Sequence, residues 1–238
     1  MYKRLNFNQY FIDASKGRDN QKVSINVNYK EVHYILKSKE YNAYYYVLYN
    51  EIRDVIQIYL KETTDDTGWR ANFMFAEDYY DSFDYNGNQI QLQVHKGWNV
   101  MYRAMKHYIR DEFKILREQH PSCEVEIIGW SLGSGQAQLC CQDLYYNFNV
   151  KSHVFTFGSV KPWYGRDEIM KNYLKECYVE CYNFRDVNDI VGYMPPFKKY
   201  FMFNPVKVQQ DKFCIFRLFN PYKYHTQYYK EELYKNIK

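Results

Sequence analysis

The stretch Gly129-Trp130-Ser131-Leu132-Gly133 constrains this chain more than any other. Residues 124–128 alternate and then run apolar into Gly129, as a largely buried strand does, and Ala137, Cys141, Leu144 and Phe148 recur at helical spacing beyond it. A serine therefore stands between strand and helix, in a turn so tight that the residues two before and two after it have no room for a Cβ. The helix that starts there aims its free N–H groups and the positive end of its dipole at the place where an oxyanion would form, which suits acyl transfer. Glycine is scarce, and of 10 in 238 residues Gly129, Gly133 and Gly135 fall in this one turn. That favours a geometric requirement over a permissive loop, the bland alternative being a tight connection around a buried serine.

The 238 residues, 46% of them hydrophobic, fit a single α/β domain. Residues 1–28 are polar with short apolar interruptions and read as an N-terminal arm, packed on the domain or partly mobile; residues 29–238 form the domain. A net charge of +4, with the lysines scattered, reads as a mixed-charge soluble surface. No nucleic-acid module and no zinc-type Cys/His spacing occurs, so no nucleic-acid partner, cofactor or metal is expected. The irregular cysteines argue against a disulfide framework. With no signal-peptide core and no run of transmembrane length, the chain is expected in the cytoplasm, with peripheral membrane contact at most.

Along the chain, residues 29–39 read as a short helix with Val32, Ile35 and Leu36 on one face, and His33 as a surface or packing residue. Residues 44–49 and 55–60 read as a hairpin, followed by a polar loop holding Trp69, a candidate lid. Residues 89–95 alternate as a strand, and a helix from about Asn99 to Gln119 leads to the elbow strand, the βαβ order of a doubly wound sheet. Residues 153–157 form the next strand, 163–176 a short irregular helix and 178–184 a further strand. A last hairpin or strand is expected within 207–219 and a terminal helix over 231–237.

A serine hydroxyl is a weak nucleophile at neutral pH and needs a base, which in turn needs a carboxylate to hold its tautomer. Downstream of Ser131 stand two histidines, His153 and His225, and His225 is the one that follows an aspartate on a loop after a strand. Spacing divides Asp186 and Asp189 about evenly as the acid.

Several stretches, taken in order, resemble the class 3 lipases, the family of the filamentous-fungal triacylglycerol lipases. Val94-His95-Lys96-Gly97-Trp98 resembles the segment before the family's long helix, with His95 at a structural position. Residues 129–133 resemble its elbow, Thr156-Phe157-Gly158 its next strand end, residues 189–196 its acid loop and Tyr224-His225 its histidine segment. The resemblance spans about residues 44–228. It implies an α/β-hydrolase fold, a mostly parallel central sheet covered by helices on both faces, and a triad of Ser131, Asp189 and His225.

It also implies an oxyanion hole from the N–H groups of Leu132 and Thr63, since residues 58–63 resemble the family's oxyanion strand, with Trp69 at the matching distance as a lid residue. Lys61 and Glu62 replace the usual Arg-Gly, Gly68 replaces an acidic residue and Trp130 the common histidine of the elbow; the triad is untouched. The expected function is a serine hydrolase of lipid esters, glyceride or phospholipid, meeting a membrane or lipid interface transiently. A non-catalytic binding module on the same fold, or a thioesterase or acyltransferase, are the alternatives.

Overall fold

The protein is described from a computed structural model, which covers residues 2–14, 29–36, 39–62, 71–72, 74–208 and 225. Strand β1 (Lys30–Leu36), β2 (Lys39–Asn50), β3 (Val55–Leu60), β6 (Glu124–Trp130), β7 (Ser152–Phe157), β9 (Tyr178–Asp186) and β11 (Pro205–Val208) form the main sheet, in the order β1-β2-β3-β6-β7-β9-β11. The pairs from β3 to β11 are parallel, whereas β1-β2 and β2-β3 are antiparallel. Every residue of β3 and of β7 is buried, as expected of parallel strands covered on both faces.

Helix α2 (Lys96–Gln119) and helix α3 (Leu132–Phe148) lie on one face, where Met101, Met105, Ile109 and Phe113 join Ile58, Ile127 and Leu139 in one apolar core. Helix α1 (Phe7–Ala14) covers part of the other face through Phe7, Tyr10 and Phe11 against Trp130, Phe155, Phe157 and Phe184. Part of the expected arm is thus a docked helix. Each such buried aromatic stabilises the fold by roughly 1.5–3 kcal/mol.

Three expectations change. Residues 30–36 form an edge strand rather than a helix, because Val32 and Tyr34 alternate onto the core while β2 supplies a backbone partner. The strand preceding α2, β5 (Asn88–His95), pairs with β4 (Glu77–Tyr85) in a second sheet of order β10-β8-β5-β4, where β8 is Trp163–Tyr164 and β10 Tyr200–Phe201. The elbow strand therefore pairs in parallel with β3 on one side and β7 on the other, and the crossover from β3 contains a whole hairpin before α2. β5 alternates between exposed and buried positions, the pattern of a one-sided strand, unlike β3, which is buried at every position. Finally, residues 163–176 divide into β8 and a helix, α4 (Glu168–Glu176), capped by Asp167, whose side chain accepts the Ile169 N–H at 2.8 Å.

Cys123, Cys140, Cys141, Cys177 and Cys181 are buried and free. Among the described residues no helix is long and apolar enough to cross a membrane. The expected hairpin within 207–219 begins in β11 and otherwise lies, with the expected terminal helix, outside the described residues.

Candidate active site

β6 delivers Ser131 at its carboxyl end with φ 56° and ψ −120°, a left-handed backbone that costs a non-glycine residue of order 1–3 kcal/mol. Its neighbours make that conformation possible. A Cβ on Gly129 would come within 2.2 Å of the Gly133 carbonyl oxygen, and one on Gly133 within 2.0 Å of the Leu60 carbonyl oxygen. The turn therefore closes only because both positions are bare, and it packs its first helical turn against the end of β3. The Ser131 N–H donates to the Phe157 carbonyl at 2.9 Å, binding the turn to β7.

Residues distant in sequence converge here. His225 Nε2 lies 2.7 Å from Ser131 Oγ, and His225 Nδ1 lies 2.8 Å from Asp189 Oδ2. Asp189 is fully buried and Ser131 and His225 nearly so. The carboxylate selects the tautomer with hydrogen on Nδ1, which leaves the Nε2 lone pair to accept the serine proton. The other oxygen of Asp189 accepts the Val191 N–H at 2.9 Å, which fixes the carboxylate plane. The close approach of Gly158 holds the imidazole from the side: a Cβ there would meet His225 Cε1 at 2.7 Å.

Asp186, the other candidate acid, is engaged in the loop backbone. Its Oδ1 accepts the Asn188 N–H at 2.5 Å, an Asx turn that shapes the loop leading to Asp189. Burial pushes its carboxyl up to about 6. The geometry thus separates the two aspartates that spacing left equal.

Trp130, which stands in the elbow where the family pattern has a histidine, is fully buried, edge-on to Phe11 of α1 at 5.1 Å and 6.1 Å from the His225 ring. It fills the layer between the docked helix and the site. Leu132 opens helix α3 directly after the serine, so its N–H is among the free donors of the helix's first turn. Thr63 and Trp69 lie outside the described residues, although Leu60 and Lys61, just before Thr63, abut Gly133. Glu62 is buried. His95 is buried at the start of α2, where its Nδ1 accepts the Trp98 N–H at 3.4 Å, and it stays away from Ser131's hydrogen-bond chain.

The sequence reading missed Ser134. Its hydroxyl donates to the Ser131 carbonyl oxygen and accepts the Val160 N–H. A hydroxyl three residues after an elbow serine, on the first turn of a helix, is the signal that could have found it.

The family described as lipase (class 3) matches residues 57–199, more than half of the chain. No curated protein sequence matches significantly. Among solved structures, a fungal lipase in an inhibitor complex is similar at 20% identity and TM-score 0.65, over 87% of this chain and 77% of that one. The triacylglyceride lipase of Rhizomucor miehei is similar at 20% identity and TM-score 0.59, over 77% and 68%. A triacylglycerol lipase whose catalytic centre is formed by a serine protease triad is similar at 21% identity and TM-score 0.58, over 77% and 68%. These likenesses carry the fold, and the family match carries the class. The chain belongs to the class 3 lipase family of serine carboxylic ester hydrolases, with the α/β-hydrolase fold.

Proposed function

We propose that the chain hydrolyses lipid esters through Ser131, His225 and Asp189. The observation that carries this reading is the unbroken chain of hydrogen bonds from Ser131 Oγ through His225 to Asp189, at 2.7 and 2.8 Å. Ser131 attacks the ester carbonyl while His225 Nε2 takes its proton, and Asp189 stabilises the imidazolium that forms. The Leu132 N–H and that of Thr63 hold the oxyanion; losing one such donor costs about a hundred- to a thousandfold in rate. His225 returns its proton to the departing alcohol, and water then releases the acyl group by the same steps in reverse roles.

The acyl donor is a lipid carried at an interface, with Trp69 on the segment that gives access to it. This rests on the family and on solved relatives described as triacylglycerol lipases and as a case of interfacial activation. Labelling with a fluorophosphonate, with the modified peptide located by mass spectrometry, tests the mechanism, because only an activated serine beside a working oxyanion hole reacts quickly. Modification of Ser131, absent in Ser131→Ala, is expected. Folded protein that stays unlabelled both with and without lipid micelles would instead be a hydrolase-fold binding module.

A further inference from the structure

Lys161 and Arg185 both pack against the turn that follows Asp189. The Lys161 N–H donates to the Met194 carbonyl at 3.0 Å. The Arg185 guanidinium lies over the Tyr193 ring, 5.0 Å from its centroid, and a Cβ on Gly192 would meet Arg185 Cβ at 3.1 Å. Both side chains are half-buried. Among the described residues neither has a carboxylate within ion-pairing distance, and Arg185 Nε is buried without a hydrogen-bond partner. Burial first, and the neighbouring Arg185 charge second, hold the Lys161 ammonium below its usual range. Two partly desolvated cations beside each other without an anion are costly, and a bound anion relieves that cost.

Lys161 follows the carboxyl end of β7 and Arg185 lies at that of β9, the end of the parallel sheet at which β6 delivers Ser131. Lys161 is three residues beyond Gly158, where an added Cβ would meet His225, so its Cα is within about 11 Å of the Gly158 Cα even if the chain is fully extended. Arg185 is the last residue but one of β9, the strand that leads into the acid loop. Further along that loop, Phe197 is 53% exposed, followed by the exposed Lys198 and Lys199. An apolar ring flanked by lysines suits the surface of an anionic lipid aggregate better than a dissolved ion.

We propose that Lys161 and Arg185 form a subsite for the phosphate of a glycerophospholipid, which makes the preferred substrate a phospholipid rather than a neutral glyceride. In such a lipid the phosphate is a few bonds from the scissile ester, so one molecule reaches both Ser131 and the cation pair. A guanidinium takes two phosphate oxygens in a planar fork and the ammonium a third. Hydrolysis then consumes water and releases a fatty acid and a lysophospholipid. This inference rests on the serine esterase reading, and its test is arranged to fail separately from it.

The experiment uses Ser131→Ala and short-chain diether lipids, which cannot be hydrolysed: a diether phosphatidylglycerol, the diether glycerol with the same chains, and inorganic phosphate alone, each titrated by calorimetry. The phospholipid is expected to bind about tenfold or more tightly than the neutral diether, the weight of a charge-assisted contact. Lys161→Gln and Arg185→Gln, each added singly, are expected to erase most of that preference, and Arg185→Lys to keep part of it. Equal affinity for the two diethers, or a preference unchanged in both Gln variants, overturns the subsite. Inorganic phosphate that binds as tightly as the phospholipid makes the pair a free-phosphate site and overturns the substrate assignment. Failure of the esterase reading appears elsewhere, as absent fluorophosphonate labelling of the unmodified protein, while the binding comparison still decides the subsite.

Discussion

The hydroxyl of Ser134 donates to the carbonyl oxygen of Ser131 at 2.5 Å and accepts the N–H of Val160 at 3.1 Å. One buried side chain thereby ties the turn of the proposed nucleophile to the segment beyond β7, next to His225. Ser134→Ala removes both bonds and leaves the buried Val160 N–H unsatisfied, at a cost of about 1–3 kcal/mol. Ser134 touches no substrate, so the expected loss is in placement: kcat and the rate of fluorophosphonate labelling fall about tenfold while KM stays close to its original value. Ser134→Thr keeps the hydroxyl and is expected to recover most of the rate. A labelling rate unchanged in Ser134→Ala would leave this residue with a purely structural part.

The two aspartates of the acid loop give a sharper contrast. Asp189→Asn leaves His225 in the wrong tautomer and is expected to lower kcat by something on the order of ten-thousandfold with the fold intact. Asp186→Asn keeps an oxygen for the Asn188 N–H and leaves the His225 contact alone, so its effect on kcat is expected within about tenfold. Steady-state rates of the two variants on one ester decide it. Similar losses would mean that the bond from Asp189 to His225 is not what orients the base.

Why the site could be read from sequence, and parts of the fold could not, follows from where each signal resides. The elbow is a local steric solution, so Gly129 and Gly133 announce it within five residues. The choice between Asp186 and Asp189 was not local: the two stand three residues apart at and just beyond the end of one strand, and what separates them is a contact across 36 residues to His225. The strand at 30–36 was misread because Val32, Ile35 and Leu36 also fit a helical face, and period alone cannot settle so short a run. Its strand form depends on the partner β2. The pairing of β3 with β6 was likewise hidden, since a hairpin of a second sheet intervenes in the chain. Lys161 and Arg185 carry no motif at all; only the turn at 192–194 brings them together.

Two buried titrating groups pull stability in opposite directions. Burial holds His95 down at about 3 from 6.5, so the native state resists protonation; its contribution is present above pH 6.5 and is lost as pH falls towards 3. Burial raises Asp186 from 3.8 to about 6, so its contribution is present below about pH 4 and is lost as pH rises through 6. Denaturant melts at pH 4, 5, 6 and 7 separate the two. Asp186→Asn is expected to gain on the wild type steadily from pH 4 to pH 7. His95→Gln, which keeps an acceptor for the Trp98 N–H, is expected to lose less stability on acidification than the wild type. Parallel curves for variant and wild type would show that burial does not control protonation at that residue.

The last prediction concerns the opposite end of the strands from Ser131. Glu126, fully buried in β6, accepts hydrogen bonds from Arg53 Nη1 at 2.7 Å, Gln57 Nε2 at 2.7 Å and Tyr2 Oη at 2.8 Å, and from the hydroxyl of Tyr10 on α1. Arg53 supplies the sole formal countercharge among these donors, and its Nη2 also reaches the Lys3 carbonyl at 3.0 Å. Arg53→Met therefore strands a buried carboxylate and is expected to cost about 3–5 kcal/mol, which for a chain of this size lowers Tm by about 10 °C. Adding Glu126→Gln removes the stranded charge and is expected to return most of that loss. The neutral pair should still hold the N-terminal segment less firmly, because Tyr2 and Tyr10 then donate to an amide oxygen instead of a carboxylate. Trypsin cleavage at Lys3 and Arg4, followed by mass spectrometry, should run faster in the double variant than in the wild type even with Tm largely restored. Cleavage at the wild-type rate would mean that the aromatic packing of Phe7, Tyr10 and Phe11 alone holds the segment down.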